Sequence, residues 1–283
     1  MPRCSVCGSA LPVYLPMRIN DELLAILREF KAKASAVGIK QFVIQTHFQS
    51  PLEVTPEARE AIRRILSTGW SITNQLVYNV AASRRGHTAK LRKTLNALGV
   101  LCYYTFSVKG FEENYAVFAP NSRSMQEQQE EKALGKLDRE AEAEFLSLLK
   151  NSNDRGTAIR HFCETKNIPF VATDRNVLNL PGIGKSMTFT LAGITPDGKR
   201  VLEFDHDHTR KHSPIIERIG KVFIRENKSI LQYMLQLHEM GEKPEHYAGI
   251  WHFTEGETEP RFPLYDYPDG DLQITYNYSH CVF

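Results

Sequence analysis

Along the first two-thirds of the chain the spacing of apolar positions switches repeatedly between two periods. Short β-branched runs read as strands, and between them apolar residues recur every three to four positions, as on one face of a helix. Leu11 to Leu15 reads as a strand. Asn20 can cap a helix from Asp21 to about Phe30, with Leu23, Leu24 and Leu27 on one face. Gln41 to Thr46 reads as a buried strand. Thr55 caps the next helix, Pro56 takes its first position, where no N–H is needed, and Gly69 follows its end near Ser67. Ser71 to Val77 is predicted as a strand, His87 to Leu98 as a helix stopped by Gly99, and Val100 to Phe106 as a strand. This β-α-β-α-β order predicts an α/β fold of parallel strands with right-handed crossovers.

Further on the pattern changes. Ser124 to Lys150 is polar and helix-prone, with apolar residues gathered near its end at Phe145, Leu148 and Leu149, and it reads as a solvated helical insertion. A helix over about Thr157 to Lys166 leads into a predicted strand, Pro169 to Thr173. Met187 to Ile194 and Lys199 to Phe204 flank Thr195-Pro196-Asp197-Gly198, a good turn sequence, and predict a β-hairpin. A helix over about Ser229 to Met240 follows, and the aromatic, Pro-rich tail from Trp251 reads as irregular β structure. The expected organisation is a barrel-type α/β portion over residues 1–186 and a smaller β-rich region over residues 187–283.

Charge narrows the function classes. Thirty-five basic residues against 33 acidic ones give a net charge of +2, without the basic stripe of a nucleic-acid or membrane-surface protein. No apolar stretch approaches the roughly 18 residues of a membrane helix, and Met1 to Ser5 lack a signal-peptide run. The five cysteines (Cys4, Cys7, Cys102, Cys163 and Cys281) are scattered and odd in number, which argues against a disulfide framework and for a reducing cytoplasm.

In barrel-type α/β folds the chemistry lies at the C-terminal ends of the strands. His47 follows the strand QFVIQT, Asn74-Gln75 lies in the next run, and Tyr103-Tyr104 in the one after. Each has an ordinary reading beside a ligand one: a satisfied histidine, hydrogen-bonded amides, packed rings. The segment Asn179 to Ser186 (NLPGIGKS) is Gly-rich and ends in Lys185. A P-loop would need glycine at position 179 and a helix afterwards, and neither is present. A Schiff-base lysine for an aldehyde cofactor and an exposed turn lysine remain as readings.

Taken in order, Thr46-His47-Phe48 with Pro51, then Asn74-Gln75, Tyr103-Tyr104 and Gly182-Ile183-Gly184-Lys185, together with Pro16-Met17-Arg18-Ile19, resemble the radical-SAM aminomutases related to lysine 2,3-aminomutase. The likeness runs from about Leu11 to Phe204. It implies a partial parallel (βα) barrel of radical-SAM type that holds pyridoxal phosphate, S-adenosylmethionine and a 4Fe-4S cluster. It implies that Lys185 binds the pyridoxal aldehyde, that His47 and Gln75 lie near S-adenosylmethionine, and that Asn74 and Tyr103 lie near the pyridoxal ring. The reaction implied is exchange of an α-amino group with a β-hydrogen of an amino acid. Lysine-specific members hold the distal ammonium with two aspartates, and Lys109 and Asn179 stand at the matching positions here. That change favours a distal carboxylate, as in glutamate 2,3-aminomutases.

The chain departs from the family in one respect. It has no C-x-x-x-C-x-x-C run for the cluster, and Cys4-Ser5-Val6-Cys7 supplies only two thiols. The expectation is therefore the C-terminal portion of such an enzyme, truncated or split. It would work with a cluster-bearing partner chain or as a homo-oligomer, or be a non-catalytic protein of the same fold. No metal site is expected from Asp205-His206-Asp207-His208 and His212, which read as a solvated turn.

Overall fold

The structure is a computed structural model and describes residues 3–108, 112–180, 184–186, 189–205 and 221–254. The predicted alternation is present: β1 (Arg3–Gly8), α1 (Leu11–Tyr14), α2 (Asp21–Ala36), β2 (Ile39–Thr46), α3 (Pro56–Leu66), β3 (Ser71–Tyr78), α4 (His87–Asn96) and β4 (Val100–Ser107). There follow α5 (Asn121–Gln126), α6 (Arg139–Asn151), α7 (Arg155–Lys166), β5 (Arg175–Leu180), β6 (Gly184–Ser186), β7 (Thr190–Ile194), β8 (Arg200–Asp205), β9 (Lys221–Arg225) and α8 (Ile230–Glu239). One sheet has the order β1-β2-β3-β4-β5-β6, with five parallel strands and β6 antiparallel to β5. A second, antiparallel sheet has the order β7-β8-β9.

Helix starts follow their capping residues. Asn20 Oδ1 accepts from Leu23 N–H at 3.0 Å, and Thr55 Oγ1 accepts from Ala58 N–H at 3.2 Å. Ser229 and Gln232 form a reciprocal capping box before α8. Two predicted strands are absent. Leu11 to Leu15 begins a helix instead, because Pro12 sits in its first turn, where proline is favoured. Pro169 to Thr173 gives its backbone donors elsewhere: Val171 N–H to Asn96 Oδ1 at 2.9 Å and Ala172 N–H to the Gly135 carbonyl at 2.8 Å. The next segment, Arg175–Leu180, takes the place in the sheet.

The chain divides into two compact units. The first holds residues 1–76, 86–105 and 130–175. Its β2–β3 register places Val43 beside Ser71, Gln45 beside Thr73 and Thr46 beside Asn74. Phe42, Ile44, Ile72 and Asn74 are buried, whereas the alternate positions Val43, Gln45, Ser71 and Thr73 are half-buried. Phe30 of α2 meets Phe42 and Trp70 at ring-centroid distances of 6.3 and 6.0 Å, so the buried face is the one the helices cover. Phe145, Ile159, Phe162 and Val171 form a further cluster between α6, α7 and the sheet.

The second unit holds residues 77–85, 106–129 and 176–283. Tyr78, Val80 and Ala119 pack with Ile230, Tyr233 and Leu237 of α8 and with Tyr247 and Ile250 beyond it. Met125, Phe189 and Leu202 form a second cluster against the antiparallel sheet. The expected hairpin is present as β7 and β8, joined through Thr195 to Lys199.

The polar segment from Ser124 is not a solvated helix. Its first part, through Lys132, is mostly enclosed, and a π-helical turn (Glu127–Glu131) interrupts it. Only α6 matches the expected surface helix. Polarity alone predicted solvent here; tertiary packing supplied partners that a local reading does not see.

Candidate functional site

The loop after β2 is fixed from three sides. Asn74 Oδ1 accepts from Phe48 N–H at 2.7 Å, and Asn74 Nδ2 donates to the Phe48 carbonyl at 2.9 Å. The Thr46 hydroxyl lies 3.0 Å from Asn74 Oδ1. Glu53 Oε2 accepts from Gln49 N–H at 2.6 Å and from Ser50 N–H at 3.1 Å, and His87 Nε2 lies 2.9 Å from the Gln49 carbonyl. His47 sits at the start of this clamped loop and is half-buried. Positions held by their neighbours in this way suit a ligand-contacting side chain.

Asn74 itself is 1% exposed and lies on the helix-covered face, where its amide is engaged by Phe48 and Thr46. Its role in this geometry is to position the His47 loop. Asn74→Ala would leave the Phe48 amide and carbonyl without their side-chain partner. We expect it to cost about 3 kcal/mol, from about 1–3 kcal/mol for each enclosed polar group left unmade. Urea denaturation checks this, and a loss under about 1 kcal/mol would show that the clamp is dispensable.

Gln75 follows on the opposite, half-buried side of β3. Tyr103 of β4 is 40% exposed, and its ring centroid lies 4.1 Å from that of Tyr104 at an interplanar angle of 59°. His47, Asn74, Gln75 and Tyr103 therefore belong to the first unit, at or just beyond strands β2 to β4. Asn179 and Lys185 belong to the second, where the β5–β6 ladder sets them directly opposite one another. Lys109 lies outside the described residues.

No family model matches the chain. It is 30% identical over 251 residues, 87% of its length, to an uncharacterized KamA family protein of Methanocaldococcus jannaschii. The chain is related to the KamA/lysine 2,3-aminomutase family. It is also 29% identical over 100 residues, 35% of its length, to an L-lysine 2,3-aminomutase of Methanococcus maripaludis. A third relative, the L-lysine 2,3-aminomutase of Fusobacterium nucleatum, is 37% identical over 70 residues, 25% of this chain. The KamA-related chain spans only part of each relative: 33%, 21% and 14% of their lengths, respectively.

The cluster that this family uses can be tested against the cysteines present. Cys4 and Cys7 both lie on β1 and are exposed, but their odd offset points them to opposite faces of the strand. Cys102 is buried in β4 and Cys163 half-buried on α7. Burial pushes the Cys4 and Cys163 thiols up, the opposite of what a ligating thiolate requires. Among the described residues no group of three or more Cys, His, Asp and Glu could hold a metal ion. These residues do not fit an iron–sulfur cluster. Asp205 ends β8, and His206 to His212 lie outside the described residues. Among the described residues, no helix is long and apolar enough to cross a membrane.

Sequence reading missed a buried ionic cluster in the first unit. Arg92 of α4 donates to both carboxylate oxygens of Asp174, Nε to Oδ1 at 3.0 Å and Nη2 to Oδ2 at 2.9 Å. The Thr105 hydroxyl donates to Asp174 Oδ2 at 2.7 Å. Lys132 Nζ donates to the Asp174 carbonyl and lies 3.6 Å from Oδ2. Burial alone would push the Asp174 carboxyl up, but Arg92 and Lys132 beside it hold it well below the usual carboxylate range. The residues are 82 and 42 positions apart, so no local motif announces the cluster. A concavity of about 470 Å³ between α4 and α7 is lined by Asn96, Ile159, Cys163 and Phe170 and holds none of the predicted site residues.

Proposed function

We propose that this chain carries the pyridoxal-phosphate portion of an amino acid 2,3-aminomutase, with Lys185 as the residue that binds the cofactor aldehyde. The observation that carries the reading is the β5–β6 ladder, which sets Lys185 directly opposite Asn179 in a chain related to lysine 2,3-aminomutases. Tyr103 offers a partly exposed ring against which a planar cofactor can pack. His47 and Gln75 offer hydrogen-bonding groups, on the clamped loop and on the open side of β3, for S-adenosylmethionine. When bound, pyridoxal phosphate supplies electron delocalisation that lets nitrogen move between neighbouring carbons. The chain's own residues hold substrate and cofactor in register and limit water.

For the substrate we propose a distal carboxylate, as in glutamate. Lys109 and Asn179 stand where lysine-specific relatives carry two aspartates. An ammonium and an amide there repel a distal ammonium and attract a carboxylate. Cluster chemistry is left to a part not contained in the described residues, supplied by a partner chain or a further segment.

The test is absorbance. Purified protein mixed with pyridoxal phosphate is expected to show the visible band of lysine-bound cofactor, and Lys185→Ala is expected to lose it entirely. Lys228 is the control. This enclosed amine donates to the Phe118 carbonyl and Gln236 Oε1, lies 4.7 Å from the Tyr115 ring, and is brought down to about 8 by burial. An equal band in Lys185→Ala that disappears in Lys228→Met would move the cofactor to the wrong lysine for this reading. A folded wild type with no band would favour a non-catalytic protein of the same fold.

A further inference from the structure

Helices α4 and α7 of the first unit meet closely at one end. A side chain on Gly156 would stand 2.7 Å from the Ala97 carbonyl oxygen, so only glycine admits the first turn of α7 to the end of α4. Beyond that contact a cleft of about 470 Å³ opens, with Lys93 to Ala97 on one side and Ile159 to Asn167 on the other. Its third wall is Ile168 to Phe170. Asn167 turns the chain into that wall: its φ of 53° is left-handed, and Ile168 N–H donates to the Cys163 carbonyl at 2.9 Å. Asn96 ties the same wall to α4 by accepting Val171 N–H at 2.9 Å. All three walls are therefore held by the fold, and the volume falls within the roughly 300–1,000 Å³ of small-molecule sites.

The lining divides by chemistry. Ile159 and Phe170 lie buried behind the surface, which is presented by half-buried Cys163 and Ile168 and by exposed Pro169. Burial and the neighbouring Glu164 charge push the Cys163 thiol up, so it stays protonated near neutral pH and acts as a small apolar group. Two exposed cations, Lys93 and Arg160, complete the rim. Arg160 is pinned there: Nη1 donates to the Ala97 carbonyl at 2.7 Å and Nη2 to the Thr157 hydroxyl at 2.7 Å. Neither cation is in an ion pair among the described residues. Asp154, whose charge reaches Arg160, is instead taken up by the Thr157 N–H at 3.1 Å and hydroxyl at 2.7 Å. The one carboxylate in the described lining is Glu164, so two cations against one anion leave a net charge of +1.

We propose that this cleft is a binding site for a small monocarboxylate with an apolar body. The carboxylate is taken by Arg160 and Lys93, and the body rests on Cys163, Ile168 and Pro169. Arg160 suits its part because the guanidinium keeps N–H donors beyond the two it spends, and those two bonds already fix its orientation. Little side-chain freedom is then left to lose on binding. Glu164 sets the selectivity: it opposes a second negative charge on the ligand, while the two cations oppose a positive one. The site uses none of the residues assigned above to cofactor or substrate, so it does not rest on the aminomutase reading.

The experiment follows alkylation of Cys163 by N-ethylmaleimide in the full chain, read from its own peptide by mass spectrometry. The probes are phenylpropanoate, phenylpropylamine (the same body with the opposite charge) and inorganic phosphate, an anion with no body. Phenylpropanoate is expected to slow the reaction at Cys163 saturably and to leave Cys4 and Cys7, exposed on β1, unchanged. The other two probes are expected to protect none of the three. Lys93→Glu is expected to raise the half-protecting concentration about tenfold or more, with an unaltered urea midpoint because Lys93 is exposed and makes no ion pair. Comparing concentrations rather than rates cancels any change in the thiol's own reactivity. Arg160→Gln is expected to do the same and carries the test if Lys93→Glu fails to fold. Protection of Cys163 by the amine or by phosphate would overturn the proposal, since the cleft would not then select an apolar carboxylate. So would equal phenylpropanoate affinity in both variants. No protection by phenylpropanoate at about 10 mM, where a Kd of about 1 mM would register, would overturn it as well.

Discussion

Asp174→Asn is expected to destabilise the protein by about 3–5 kcal/mol, the range seen when one partner of a buried ion pair is removed. The side chains of Arg92, Lys132 and Asp174 are 3%, 6% and 1% exposed, so water cannot take over from the lost carboxylate. Asparagine keeps the shape but turns an amide N–H₂ toward donors that need acceptors. Because a domain's whole stability is about 5–15 kcal/mol, the loss should be plain in a urea titration. The same geometry fixes the pH dependence. The folded-state carboxyl is depressed, so its contribution is fully present above the unfolded value of about 3.9 and is lost as pH falls below it toward the native value. Wild type should therefore lose stability in strong acid by a component that Asp174→Asn does not have. Replacing all three charged groups together by Met, Leu and Met should recover much of the loss, because an apolar substitute carries no desolvation cost. A single Asp174→Asn variant within about 1 kcal/mol of wild type would show that the cluster is solvated.

The second large effect is expected at Glu226 in the other unit. Its carboxylate accepts Arg200 Nε at 2.8 Å and Nη2 at 2.9 Å, and also Asn121 N–H at 3.2 Å. Arg200 lies 5.4 Å from the Phe189 ring and donates to the Thr254 carbonyl, so it is fixed in place and cannot swing out to solvent. Glu226→Gln should cost about 3 kcal/mol or more, because one of the two bidentate acceptors becomes a donor facing a guanidinium. Hydrogen exchange separates the two variants. Loss of protection should centre on β8 and β9 for Glu226→Gln and on α4 and β4 for Asp174→Asn. If either variant raises exchange uniformly over every strand, the two units do not unfold as separate parts.

What the chain determines by itself are the features whose signals are local. Asn20, Thr55 and Ser229 start helices because a side-chain oxygen can reach N–H groups two or three residues on. Gly69 and Gly99 end helical segments at φ values of 77° and 81°, which other residues reach only under strain. Thr195 to Gly198 turns one strand into the next. The candidates His47, Asn74-Gln75, Tyr103 and Lys185 were singled out by their order on or just beyond successive strand runs and by the resemblance that this order carries. Tertiary structure decided what depends on distant partners. Whether Pro169 to Thr173 would pair as a strand was settled by Asn96 and Gly135, which take its N–H groups. Asn74 reads as a ligand contact in sequence, yet its position on the helix-covered face turns it into a clamp for Phe48. Arg92, Lys132 and Asp174 meet only when α4, the segment after the π-helical turn and the start of β5 are brought together. The polar run from Ser124 reads as solvated because local sequence carries no record of enclosure. A residue's burial is set by what the rest of the chain places over it, and that information is not held in its neighbours.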